Sequence, residues 1–226
     1  PGHAQHWSGI DQNWNYQCAD CHSTNLRKGY DARTDRFDTT WSEISVGCEA
    51  CHGPGSTHQA WAATPAGERP PLADHGLSAR LDERAGVAWV DGAASGTRIR
   101  ARPRSTTTEI EVCARCHARR GQISDEHPAG APLLNAFRPA LIEPGLSYPD
   151  GQQRDEVFTY GSFLQSRMHA AGVSCSDCHE PHGGKLRVGG NAVCAQCHDP
   201  ARFDKAEHHH HAPGGVGAQC TARRRG

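Results

Sequence analysis

The sequence is short of nearly everything from which a soluble domain builds an interior. Only 36% of its 226 residues are apolar, cysteine included, and 6% are aromatic. The mean hydropathy is −0.70. A chain of this length makes one or two ordinary domains, but side chains this polar cannot fill them, so a staple or a built-in group is required. Long apolar runs are missing too, and no stretch approaches the length of a membrane span. A net charge of −1 leaves no basic surplus, which argues against general nucleic-acid binding. The one basic run, Arg223-Arg224-Arg225, reads as a solvated tail. No signal peptide is visible and the first residue is Pro1, so a leader is expected to have preceded it.

Cysteine and histidine are plentiful instead, at 11 and 16. Ten of the cysteines fall into five units of one pattern, Cys-x-x-Cys-His: Cys18/Cys21/His22, Cys48/Cys51/His52, Cys113/Cys116/His117, Cys175/Cys178/His179 and Cys194/Cys197/His198. Residues three apart on a helical turn share a face, so both thiols can reach one porphyrin edge and form thioethers with its vinyl groups. The histidine that follows then lies beneath the iron as the proximal ligand. Zinc ribbons also use paired Cys-x-x-Cys units, and a disulfide framework would suit an oxidising compartment. Neither requires a histidine after every second cysteine, a coincidence with odds on the order of one in a million at this histidine content. Five covalently attached c-type haems are therefore expected, and they would replace the missing core.

The predicted fold is mainly α with much irregular loop: short helices wrapped around stacked haems, plus one small β-hairpin. Residues 1–65 hold the first two units, 66–108 form a cysteine-free connector, and 109–226 hold the other three, all organised by haem as one domain. A short helix is expected before Cys18, and another from Ser42-Glu43 through Cys51. Asn25 to Thr40 reads as loop, and Ser56 as a helix cap. Short helices are predicted at 76–85, 109–120, 132–143 and 160–170, with the hairpin at 87–100 packing over a haem edge.

With one methionine, Met168, at most one iron can be His/Met. The remainder would be bis-histidine or open, which favours low potentials. His58 and His182 are the leading distal candidates, because each follows a haem unit across a Gly- or Pro-containing turn that projects it towards a neighbouring iron. One member of His208 to His211, represented by His209, joins them, with His169 and His127 after that. His3, His6 and His75 read as exposed. Arg119 and Arg120 are candidates for haem propionates or for a solvated helix end. The tryptophans read as packing. Cys220 looks like the start of a broken sixth unit, with Arg223 and Arg224 where Cys and His would stand.

The strings WNYQCADCHSTN (14–25), VGCEACHGPGS (46–56) and GSFLQS (161–166) resemble bacterial multihaem cytochromes. These are the doubled-CXXCH proteins related to nitrifier tetrahaem cytochrome c and to the hydroxylamine oxidoreductase group. The resemblance implies that the histidines matching His58 and His182 ligate neighbouring haems. The chain departs from the pattern at Cys220. The expected function is electron transfer on the periplasmic side, between a quinol-side donor and a periplasmic acceptor, with the haems carrying the redox chemistry. The rival is a haem reductase or oxidase of a small nitrogen or sulfur compound, which would need one open-faced haem.

Overall fold

The computed structural model describes residues 3, 6, 9, 12–92 and 95–210, the side chain of His209 excepted. Trp7, His211, Cys220 and Arg223–Arg225 lie outside the described residues. The chain packs as two units, each drawn from two separated stretches: Pro1–Leu81 with Thr107–Ser162, and Asp82–Thr106 with Phe163–Gly226.

Short helices, two-stranded sheets and long irregular connections make up both units. The longest helix, Thr108–His117, has Glu109 and Glu111 in its first turn and Arg115 and His117 in its last, matching the helix dipole. Its Ile110, Val112 and Ala114 are buried. Ala114 and Ala118 pack against Leu133, Ala136 and Phe137, with Tyr160 alongside, in a buried apolar cluster of the first unit. The Arg120–Gln122 and Phe137–Pro139 strands pair antiparallel beside it. In the second unit, Trp89–Asp91 pairs with Arg98–Arg100, the hairpin expected between 87 and 100.

Several local expectations are overturned. Five two-stranded antiparallel sheets stand among the described residues, where one hairpin was predicted. Glu43–Ile44 is a strand paired to Ser23–Thr24, not a helix start. Thr24 fixes that pairing: its hydroxyl donates to the Ser45 carbonyl at 2.9 Å and accepts from the Gly47 amide at 2.8 Å. The helix that carries Cys48 and Cys51 is only Cys48–His52. Within 25–40, Tyr30–Asp31 and Arg36–Phe37 form a hairpin. Ser56 is the first helical residue of Ser56–Ala63 and caps nothing; Gly55 precedes it. Residues 76–85 form no helix, and the amides of Ser78 and Ala79 are drawn to the His52 carbonyl at 3.1 and 3.2 Å. Only Leu133–Asn135 of 132–143 is helical, as a 3₁₀ turn, since Phe137–Pro139 is recruited into the sheet. The 160–170 helix is split into Tyr160–Leu164 and Arg167–Ala170, where extended Ser166 caps the second piece by accepting from the His169 amide. At 43–44, 76–85 and 137–139 a pairing with a distant segment outweighs a local preference of a few tenths of a kcal/mol per residue.

Candidate haem-attachment sites

The Cys-x-x-Cys pairs sit on helical turns. Cys48 and Cys51 lie in Cys48–His52, Cys113 and Cys116 in Thr108–His117, and Cys175 and Cys178 in Cys175–Cys178. Cys18 ends a π-helical turn and Cys21 lies in the next, Ala19–His22. Cys194 is in Ala192–Ala195, and the amides of Cys197 and His198 continue that turn onto the Cys194 carbonyl. This geometry puts each thiol pair on one face. No disulfide joins any of these ten cysteines. Among the described residues, no three His, Cys, Asp or Glu side chains converge as a structural zinc would need.

In the first unit three of these turns are tied to one another. Arg115 donates to the Ala50 carbonyl at 2.8 Å, bringing the third unit against the second. Asp20, inside the first unit, accepts from Arg120 at 3.2 Å and from Lys28 at 3.0 Å, all three side chains about a tenth exposed or less. Arg120 also lies over the Phe137 ring at 4.1 Å. It is therefore not a solvated helix end, while exposed Arg119 donates to the Glu156 carbonyl. Cys21 and Cys116 meet at this junction. The contact with Cys116, then burial, pushes the Cys21 thiol far up. Cys116, which receives that contact and faces Arg115 and Arg120, is lowered to about 7.

In the second unit the Asp177 carboxylate accepts from the Ser174 amide at 2.8 Å, closing a capping box at the start of Cys175–Cys178. Gln196 donates to the Asp177 carbonyl at 3.3 Å, so the fourth and fifth haem units are also neighbours. The Trp89–Asp91/Arg98–Arg100 hairpin grips the fifth: Arg98 donates its amide to the Cys197 carbonyl at 2.7 Å, and Asp199 donates to Gly96 at 2.8 Å. Burial raises the thiols of Cys51, Cys178 and Cys197.

The histidines differ in what holds them. Nδ1 of His52 donates to the Ala79 carbonyl at 2.6 Å, which selects the tautomer whose basic nitrogen is Nε2, as an iron ligand requires. Nδ1 of His198 lies 3.4 Å from the Thr97 hydroxyl. His22, His117 and His179 are exposed beside their cysteines. His58 matches His52, with Nδ1 on the His75 carbonyl at 2.8 Å. Both ring nitrogens of His127 are buried without a hydrogen-bond partner, and burial followed by Arg115 lowers its proton affinity. Nε2 of His169 accepts from Arg104 at 2.9 Å. His182 is exposed and pairs with Glu180 at 3.4 Å. His209 lies in Ala206–His209, but its side chain is outside the described part.

These residues fit haem. Leaving a buried imidazole nitrogen unsatisfied costs about 1–3 kcal/mol, a cost that iron ligation removes. Large apolar side chains beside the haem units stand exposed: Tyr16, Ile44 and Val46 near the first two, Leu186 and Val188 after the fourth, with Ile44 at 60%. A flat macrocycle bound there would cover them. Sequence reasoning did not find Asp20, Lys28, Arg104 or Arg115 as partners of the haem units. For Asp20 and Arg115 the one visible signal was position, between the two cysteines of their units.

Two family models match the chain. Residues 3–53 match cytochrome c554 and c-prime, and residues 168–203 match the doubled CXXCH motif. No curated protein and no solved structure is significantly similar to it. Among the described residues no helix is long and apolar enough to cross a membrane. With five Cys-x-x-Cys-His units and a doubled-motif match over the last two, the matches support a multihaem c-type cytochrome, a class that works in haem-based electron transfer.

Proposed function

We propose that the protein is an extracytoplasmic electron carrier that holds five c-type haems and passes single electrons between a quinol-side donor and a periplasmic acceptor. The observation that carries this reading is the adjacency of the haem units: the Cys21 thiol 3.9 Å from the Cys116 carbonyl and the Cys116 thiol 3.9 Å from the Asp20 carbonyl, Arg115 on the Ala50 carbonyl, and Gln196 on the Asp177 carbonyl. Sulfurs anchored side by side bring their cofactors within easy electron-transfer reach. Each haem, when bound, supplies the one-electron iron couple.

The chain's own residues attach, orient and shield. The thiols of Cys18/Cys21, Cys48/Cys51, Cys113/Cys116, Cys175/Cys178 and Cys194/Cys197 would hold the haems as thioethers, and His22, His52, His117, His179 and His198 would each supply an iron ligand. Carbonyl acceptors such as that of Ala79 keep Nδ1 protonated and make the ligand more basic. His58 and His127 would supply further iron ligands in the first unit, supported by the held Nδ1 of one and the unpartnered nitrogens of the other. His182 and one of His208 to His211 do so in the second. His169 joins them only where Arg104 releases its Nε2.

The test is expression in a host competent for c-type maturation. A pyridine haemochrome assay and intact mass should both give five haems, and EPR should be dominated by low-spin ferric signals. Colourless protein would sink the haem reading. A dominant high-spin signal that shifts with nitrite or hydroxylamine would sink the carrier reading in favour of catalysis.

A further inference from the structure

The segment that follows the second haem unit is built around His58 more closely than a connector needs to be. His58 lies in the Ser56–Ala63 helix, and its Nδ1 is held by the His75 carbonyl at 2.8 Å. The chain must therefore return to the helix seventeen residues later with that carbonyl facing inward. Gly76 makes the return possible. It sits at φ +78°, and a Cβ there would come within 2.9 Å of the His58 amide nitrogen. Only glycine allows both that backbone conformation and that approach.

The returning loop is pinned from outside. The His75 ring stacks on Trp61 at 4.5 Å and 9°, one turn along from His58. The Trp61 indole N–H donates to the Pro70 carbonyl at 2.9 Å, and Arg69 covers the ring at 4.9 Å. Trp61 thus takes part in the packing on two sides: it holds the loop whose carbonyl holds His58, and it lies against the His58 ring at 5.8 Å.

We infer that residues 65–77 are a positioning latch for an axial ligand: Trp61 and Gly76 fix the His75 carbonyl, which fixes the His58 tautomer and ring plane with Nε2 as the ligating nitrogen. This deepens the proposal that His58 ligates an iron and rests on it. Trp61 and Gly76 touch no iron; they act through His58. The expected consequence follows from the behaviour of second-shell partners, whose loss weakens a metal–ligand bond by about 10- to 100-fold.

The haem-loaded protein tests this in two steps, with the haem count checked for every variant. His58→Ala should convert one haem from low-spin to high-spin ferric in EPR, with free imidazole restoring the low-spin signal. If every haem stays low-spin, the ligand assignment itself fails. Given that conversion, Trp61→Ala and Gly76→Ala should each raise the high-spin fraction about tenfold over wild type, again reversed by imidazole, while Trp61→Phe should stay close to wild type. Wild-type spectra in Trp61→Ala and Gly76→Ala at full haem count would overturn the latch. Should Gly76→Ala fail to mature, His75→Ala replaces it, since it keeps the carbonyl and deletes the stacked ring; a smaller but imidazole-reversible high-spin fraction is expected, and none would count against the latch.

Discussion

The two packing units solve the shortage of apolar side chains in different ways. The first has an interior of its own: Ala114, Ala118, Leu133, Ala136 and Phe137 cluster beside the buried Asp20–Lys28–Arg120 ions. The second is held largely by long side chains reaching backbone carbonyls. Arg98 reaches Gln196, Arg100 reaches Glu83 and Arg104 reaches Val173, while the Arg187 guanidinium donates to the Ser176 carbonyl. Such bonds contribute about 1 kcal/mol each and bury little apolar surface. The contrast teaches that dependence on cofactor need not be uniform along a multihaem chain. Where a small core and a closed ion cluster exist, the polypeptide can hold its shape; where only clasps exist, more of the interior is left for a bound cofactor to supply.

The sharpest way to break this comparison is to remove attachment sites from one unit at a time. Replacing Cys175 and Cys178 by serine should abolish amide-exchange protection across 163–198. The same change at Cys18 and Cys21 should leave 107–140 protected, and equal loss in both would erase the distinction. Next in size, Asp20→Asn leaves two cations facing each other in a buried site and should cost the first unit about 3–5 kcal/mol, measured by denaturant unfolding. Leu133→Ala, at a fully buried position, should cost about 3 kcal/mol. In the second unit Arg104→Ala should cost only about 2 kcal/mol, because it removes two clasps, to the Val173 carbonyl and to His169, and no core.

The smallest effect is a pH dependence. Burial, and then Arg104, lower the proton affinity of His169, so the folded state binds its proton less readily than the unfolded state does. Its contribution to stability is therefore present above the ordinary histidine pKa of about 6.5 and is lost as pH falls below it. Amide protection factors across 167–173, taken relative to the intrinsic exchange rate at each pH, should fall between pH 7 and 5 in the wild type and change little in His169→Gln. A wild-type segment insensitive to pH would indicate that His169 is bound to iron instead.

Much of the chemistry was legible in the residues. Cys-x-x-Cys-His is a local pattern; it needs one helical turn and nothing distant, and the pairs form such turns. The 87–100 hairpin was legible for the same reason, since its strands and turn are contiguous. The helices expected at 76–85 and 132–143 failed because those segments are used by partners far away in sequence: His52 draws in the amides of 78–79, and Arg120–Gln122 draws in Phe137–Pro139. The ion pair of Arg120 was hidden for the same reason. Nothing near it in the chain announces Asp20, one hundred residues earlier.

By itself, then, the sequence determined what the chain can attach: five thiol pairs, each with an imidazole behind it, in a chain short of apolar side chains. Only the tertiary structure decided which units adjoin, and which histidines are held by a carbonyl, held by an arginine or left without a partner. The physical reason is range. Attachment chemistry is set within five residues by helix geometry, whereas adjacency and ligand orientation are set by contacts that span tens of residues and leave no periodic mark.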